Sequence, residues 1–386
     1  MATYVRAFVS ELSSRLREEN PLIQAVLGPR QVGKTTGVRY VLTQGDFQSH
    51  YISADDLTPL DAKQWLEEHW GKAKRQGPGT VLVIDEIQKI DQWSDSIKRL
   101  WDTTPIHERP KLVILGSSSW QLHNGLRESL AGRFELIRVS HWDALEAAAA
   151  FNATFEEYLV YGGYPKVLEM RDHPERAMNY LHDSIYTPVI GKDLLQLKEI
   201  KKPALLRQLF ELVILHPVQE ISYRKLLGQL QDTGNTETAK HYIQLLEAAF
   251  LIRSLEKYSG NMLVRKSSSP KLIALAPCFY ALFAGSSSID NPIVRGRLFE
   301  QIVGQVLTSH FSDVYYWRED NKEIDFVVLC DNVVIGIEVK SGRLRSFSGR
   351  DAFRKKFNNA RVCVISQENI MEWMQAPKAF LLKSAV

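Results

Sequence analysis

Cysteine is scarce in this chain: three among 386 residues, at Cys278, Cys330 and Cys363, widely spaced and odd in number. No C-x-x-C occurs. That pattern excludes a disulfide framework and a structural zinc site, and it suits a reducing cytoplasm. Long apolar runs are also missing. Nothing approaches the length of a membrane span, and Ala147 to Ala150 reads as helix or linker. The first residues hold no apolar leader core, because Glu11, Arg15, Arg17, Glu18 and Glu19 interrupt it. Charge of one sign is not in excess, since the formal net charge is only +3. The overall charge therefore names no partner, and any nucleic-acid signal has to be local. What remains is a soluble globular composition, 45% hydrophobic and 24% charged. The length allows two or three domains. A cytoplasmic protein without a membrane partner is expected.

The most informative stretch is Gly28-Pro29-Arg30-Gln31-Val32-Gly33-Lys34-Thr35, two glycines and a Lys-Thr pair at phosphate-loop spacing. Such a loop must wrap backbone N–H groups around phosphates. Glycines remove side chains that would block close approach, and a helix N-terminus faces the anion. Leu22 to Leu27 reads as a buried strand before it, and Thr36 onward can run as a helix. Lys34 would reach the β- and γ-phosphates of ATP, and the Thr35 hydroxyl would sit on Mg²⁺. The expected nucleotide contacts are Gly28 through Thr36.

Strand-like runs recur at 50–52, 80–84, 111–115 and 135–139, separated by helical patterns. That alternation predicts a parallel sheet covered on both faces. Val81-Leu82-Val83-Ile84 ends in Asp85-Glu86. Asp85 would hold Mg²⁺ and Glu86 would orient or deprotonate the attacking water; alone, the pair could equally be an acidic cap after a core strand. Leu115-Gly116 leads into Ser117, Ser118 and Ser119. A polar residue there can touch the water or the γ-phosphate, with Ser117 taken as the candidate and Ser118 beside it. Arg133, before the fifth strand, is the candidate arginine finger toward a neighbouring subunit, with Arg127 in reserve; the ordinary alternative is pairing with Glu128 or Glu135.

Taken together, Gly-Pro-Arg-Gln-Val-Gly-Lys-Thr-Thr, Asp-Glu-Ile-Gln, Leu-Gly-Ser-Ser and Ser-Leu-Ala-Gly-Arg resemble the AAA+ ATPases of archaea and bacteria that carry a winged helix and a restriction-endonuclease-like C-terminal region. Tyr161-Gly162-Gly163-Tyr164-Pro165 and Ser269-Pro270-Lys271 match segments of the same family. The resemblance covers nearly the whole chain. One departure is Leu-Gly where the family usually has Thr-Gly at the serine strand end.

Residues 155–200 read as helices broken at Tyr161 to Pro165, in the position of a helical lid. Three helices follow, at 204–215, 223–230 and 236–250, with Thr236 as N-cap. With strands at 251–252 and 271–274 they predict a winged helix. Its third helix offers Thr238, Lys240 and His241, and its wing offers Arg265 and Lys266.

Further on, Glu323 to Leu329 and Val333 to Lys340 read as two strands around Asp331-Asn332. A turn centred there makes opposed residues sum to 663. Asp325 then faces Glu338, and Lys340 shares their face. Two close carboxylates repel unless a cation joins them, and all-oxygen ligands favour Mg²⁺. Asp325…Glu338-x-Lys340 resembles the PD-(D/E)XK nucleases, with Ile324 in place of the proline. Glu300 matches the acidic residue on their first helix. The resemblance implies Glu300, Asp325 and Glu338 as metal ligands and Lys340 as a catalytic residue, although an inert salt-bridge cluster would show the same pattern. Residues 343–361 add Arg343, Arg345, Arg350, Arg354, Lys355, Lys356 and Arg361 against one acid, Asp351, which predicts sequence-independent phosphate contact.

The expected fold is α/β: a P-loop AAA+ parallel sheet over 1–145, a helical lid over 146–202, a winged helix over 203–275 and a restriction-endonuclease-like domain over 276–386. The expected function is a Mg²⁺-dependent ATPase that assembles with itself, as a hexameric ring for instance, and acts on DNA by structure rather than sequence. Endonuclease activity is a further expectation. The alternative is an ATP-driven signalling or defence switch with an inert C-terminal module.

Overall fold

The computed structural model describes residues 4–56, 62–117, 125–126, 128–194, 200–229, 235–259, 268–342 and 348–385. The chain divides into two compact units, Met1–His141 with Ala248–Phe250, and Trp142–Glu247 with Leu251–Val386.

The first unit holds strands β1 (Ile23–Gly28), β2 (Ser49–Ser53), β3 (Val81–Asp85), β4 (Lys111–Ser117) and β5 (Phe134–Arg138). Helices α1 (Ala7–Leu16), α2 (Lys34–Gln44), α3 (Ala62–Gln76) and α4 (Trp93–Thr103) accompany them. The sheet order is β2-β3-β4-β1-β5, and every neighbouring pair is parallel. β1 and β3 are buried along their whole length, as parallel strands covered on both faces must be. Alternation along β1 puts Ile23, Ala25 and Leu27 in one core with Ile84, Ile114 and Trp101. Each large apolar side chain so buried contributes about 1.5–3 kcal/mol. The order matters for chemistry. β4 lies between β1 and β3, so its end stands between the glycine loop and the acidic pair, with Ser117 in register with Gly28.

The second unit opens with helices Ala144–Phe151 and Phe155–Tyr161. Capping boxes start both, Asp143 with Glu146 and Thr154 with Glu157. The expected break is present: the helix stops at Tyr161, Gly163 takes φ 106°, and the next helix starts at Pro165. Helices Pro203–Leu215, Tyr223–Gln229 and Thr236–Ala248 follow. Asn235, not Thr236, caps the last of these. Its Oδ1 accepts from the Thr238 N–H at 2.8 Å, because the cap must stand outside the helix it serves.

Six strands then form one mixed sheet: β6 (Ile252–Lys257), β7 (Lys271–Ala274), β8 (Val314–Glu319), β9 (Lys322–Cys330), β10 (Val333–Lys340) and β11 (Arg361–Ser366). Their order is β11-β10-β9-β8-β6-β7. The two strands expected as a separate wing are therefore part of the C-terminal sheet, with β6 running parallel to β8. The expected division at 275/276 falls within that sheet. Helix Pro292–His310 packs against both β7 and β10.

Candidate nucleotide site and the C-terminal acidic cluster

β1 ends at Gly28, and a Cβ there would lie 2.0 Å from the Val139 carbonyl oxygen. No side chain fits. Gly33 caps α2 in the left-handed region at φ 92°, which glycine adopts without a steric penalty. Arg6 braces the loop from outside, donating to the Val32 carbonyl at 3.2 Å and to Ser140 and His141 carbonyls at 3.0 and 3.3 Å. Inside the loop Lys34 is buried. Its ammonium donates to the Gly28 and Pro29 carbonyls at 2.8 and 2.6 Å. Burial pulls the Lys34 pKa down to about 8, with Glu86 and then Asp85 acting in the opposite direction.

The acids sit where the strand ends predict. Thr35 Oγ1 donates to Asp85 Oδ2 at 3.0 Å, and the Glu86 N–H donates to Asp85 Oδ1 at 2.9 Å. A hydroxyl and a carboxylate in contact are a hard-oxygen pair of the kind Mg²⁺ takes. Tyr51 on β2 also donates its hydroxyl to Asp85 Oδ2, with Arg39 stacked 4.7 Å from its ring. Burial, then the Asp85 contact, pushes the Tyr51 pKa upward. Glu86 takes the left-handed backbone region at φ 53°. Gln88 donates to Glu86 Oε2 and, at 3.1 Å, to Ser117 Oγ. Ser117, Glu86 and Gln88 thus form one group beside Lys34. Ser118 lies outside the described residues. Sequence reasoning missed Tyr51, Gln88 and Arg6. Tyr51 is visible only as a strand residue, Arg6 carries no motif, and Gln88 stands in Asp-Glu-Ile-Gln without a role of its own.

Arg133 pairs with neither Glu128 nor Glu135. Its guanidinium grips Asp102 of α4 with two bonds, 2.7 and 2.8 Å, and that contact holds the Asp102 carboxyl below its usual range. The reserve, Arg127, is outside the described residues.

In the second unit the hairpin register is as read. Asp331 and Asn332 take φ 48° and 64°, and Phe326 stands opposite Ile337, a sum of 663. The carboxylates are nevertheless not gathered into one metal-ligand set. Asp325 accepts from the Val339 N–H at 2.7 Å. Glu300 accepts from the ammonium of Lys271 at 2.5 Å, which also reaches the Asp325 carbonyl at 3.1 Å. Glu338 instead pairs with Lys340 at 2.6 Å and with Arg350. Among the described residues, no group of three His, Cys, Asp or Glu side chains is placed to hold a metal ion. The sharing of one ion by Glu300, Asp325 and Glu338 stays an expectation; here Glu300 pairs with Lys271, and Glu338 with Lys340 and Arg350. Burial, then Glu300, pushes the Asp325 carboxyl up to about 7, against the pull of Lys271.

The basic segment is corrected in one respect. Arg350 is not a surface phosphate contact. It lies on the inward face of helix Ser348–Lys356, one turn from the core residue Phe353, and is turned onto Glu338. Lys356 pairs with Glu319. Lys240 and Lys355 are exposed, and Thr238 and His241 partly so. Arg343, Arg345, Arg265 and Lys266 lie outside the described residues. No helix among the described residues is long and apolar enough to cross a membrane.

Residues 20–147 match the family model of an AAA domain. Residues 152–285 and 295–380 match two models described as domains of unknown function, DUF8612 and DUF4143. The chain is 27% identical over 346 residues to the uncharacterized protein Rv2008c of Mycobacterium tuberculosis, covering 88% of this chain and 75% of that one. It is 23% identical over 340 residues to the uncharacterized protein MJ1544 of Methanocaldococcus jannaschii, covering 80% and 73%. Among solved structures, the Thermotoga maritima RuvB Holliday junction branch migration motor matches at 15% identity and a TM-score of 0.34, over 64% of this chain and 89% of that one. The AAA-domain match and the strand-end geometry agree: the first unit contains an AAA-type P-loop ATPase domain.

Proposed function

We propose that this chain, with its AAA domain at 20–147, is a Mg²⁺-dependent ATPase that assembles with itself and uses ATP binding or hydrolysis to act on DNA. The observation that carries the ATPase part is the convergence of Lys34, Thr35, Asp85, Glu86 and Ser117 at the C-terminal ends of parallel strands β1, β3 and β4. Loop N–H groups from Gly28 to Thr36 and the Lys34 ammonium would hold the phosphates. Lys34 already curls onto two loop carbonyls, so phosphate oxygens would replace acceptors that are present without them. Thr35 and Asp85 would hold Mg²⁺, which neutralises charge developing on the phosphates. Glu86 would orient the attacking water and take its proton. Gln88 donates to both Glu86 and Ser117, so the base and the sensor share one side-chain partner. Arg133 would serve the site of a neighbouring chain, leaving Asp102 to do so.

The DNA part rests on the exposed Lys240 and Lys355 and on the local excess of Lys and Arg between 343 and 361. On this reading residues 146–202 act as a lid, and the winged-helix region of 203–275 and the restriction-endonuclease-like region of 276–386 act as one body through the sheet they share. ATP turnover with and without branched or linear duplex tests it, and stimulation by DNA is expected. A second reading is an ATP-driven switch with an inert C-terminal module, favoured by the ion pairing of Glu300 and Glu338. Turnover indifferent to DNA would select that reading.

A further inference from the structure

The C-terminal acids have a feature that the sequence pattern does not contain. Lys271 enters from β7, at the far edge of the sheet, and its side chain is buried. The ammonium sits 4.8 Å from the centre of the Phe326 ring and bonds Glu300 and the Asp325 carbonyl. Glu338 is held by Lys340 and Arg350; Glu338 is buried and Arg350 mostly so. Glu300 therefore faces Lys271, and Glu338 faces Lys340 and Arg350, with Glu323 also acting on Lys271 and Asp325. A divalent ion arriving there would meet carboxylates already paired with cations of the chain. It would also have to displace a buried ammonium, which needs its partners to be tolerated out of water.

We propose that Lys271 is the resident cation of the Glu300–Asp325 pair, and that this pair takes no divalent metal. Two carboxylates in one site repel unless a positive charge joins them. A buried ammonium supplies that charge from within the chain. Lys271, Glu300 and Asp325 line a cleft of about 390 Å³ together with Lys225, Arg297 and Arg318 and with Glu220 and Glu323. The proposal is independent of the ATPase reading, because it concerns the second unit without nucleotide.

Mn²⁺ titration followed by electron paramagnetic resonance tests it on the full, nucleotide-free chain. Four proteins are compared: wild type, Asp325→Asn, Lys271→Met and the double variant. Wild type and Asp325→Asn should bind Mn²⁺ alike, since no ion depends on Asp325. Lys271→Met should gain one Mn²⁺ per chain, and adding Asp325→Asn should remove it. Its melting temperature should rise with Mn²⁺ while that of wild type stays still. One Mn²⁺ per wild-type chain that Asp325→Asn abolishes would overturn the proposal, and that comparison holds even if Lys271→Met does not fold. A folded Lys271→Met chain that remains blind to Mn²⁺ would overturn it too.

Discussion

The Tyr51 hydroxyl donates to Asp85 Oδ2, the same oxygen that accepts from Thr35. Ser53, two residues on along β2, stands in register with Asp85 across the sheet, so the tyrosine reaches its acid diagonally from the neighbouring strand. Asp85 then has three donors, with the Glu86 N–H on its other oxygen. Tyr51 would touch neither nucleotide nor metal. It positions the group that does. Tyr51→Phe should leave ATP affinity near wild type and raise the Mg²⁺ concentration for half-maximal turnover by roughly tenfold, the scale of losing a partner behind a metal ligand. Unchanged Mg²⁺ dependence would show that Thr35 and the Glu86 N–H suffice to hold Asp85.

Gly28 makes a sharper prediction about the loop. The Val139 carbonyl occupies the space of a Cβ, 2.0 Å away, and that backbone is fixed by the Val139 N–H bond to the Leu27 carbonyl at 2.7 Å. Gly28→Ala must push β1 from the segment after β5. Overpacking of this kind costs about 1–3 kcal/mol. A lower denaturation midpoint together with weaker ATP binding is expected, because the displaced segment also positions the loop. Full stability in Gly28→Ala would mean that Val139 yields freely.

A pH dependence follows from His141. The ring is buried, and burial, then Arg6 and Lys34, pulls its pKa down to about 3. The folded chain therefore keeps His141 neutral, while the unfolded chain protonates it near the ordinary pKa of about 6.5. Below that value the unfolded state binds the extra proton, so this contribution is complete above 6.5 and lost as pH falls toward 3. Between pH 7.5 and pH 5 the loss is roughly 2 kcal/mol. Urea unfolding of wild type and His141→Gln at the two pH values measures it, and the variant should lose less on acidification. Equal losses would place the titration elsewhere.

The nucleotide half was legible because its constraints are local. A loop that cradles phosphate needs Gly28 and Gly33 for backbone reasons, and β1 and β3 need continuous apolar runs because both faces are covered. The hairpin register was legible for the same reason, since Asp331-Asn332 can turn only in a few ways. What could not be read is the traffic between distant segments. Lys271 belongs to a short strand whose sequence resembles any wing, and only the sheet order carries it to Glu300. Arg350 looked like one cation in a basic run, yet helical phase turned it inward with Phe353. Tyr51 and Gln88 reach their partners across strand ends, a geometry with no spacing signature.

Arg133 and Asp102 give the last test, because their contact separates a surface ion pair from a finger. The pair is partly exposed on both sides, 31% and 41%, so solvent screens it and it adds little to stability. Asp102→Ala should therefore fold and hydrolyse ATP as wild type does. Arg133→Ala should also fold but lose about 10³-fold or more in turnover if its guanidinium serves a neighbouring site. Glu86→Gln should bind ATP and fail to turn it over, by about 10²–10⁴-fold. Mixing the two inactive proteins discriminates the mechanisms. An Arg133→Ala chain keeps Glu86, and a Glu86→Gln chain keeps Arg133, so a shared interface rebuilds a complete site between them. Turnover should reappear on mixing and rise with protein concentration. A mixture as inactive as its components would confine Arg133 to its bond with Asp102.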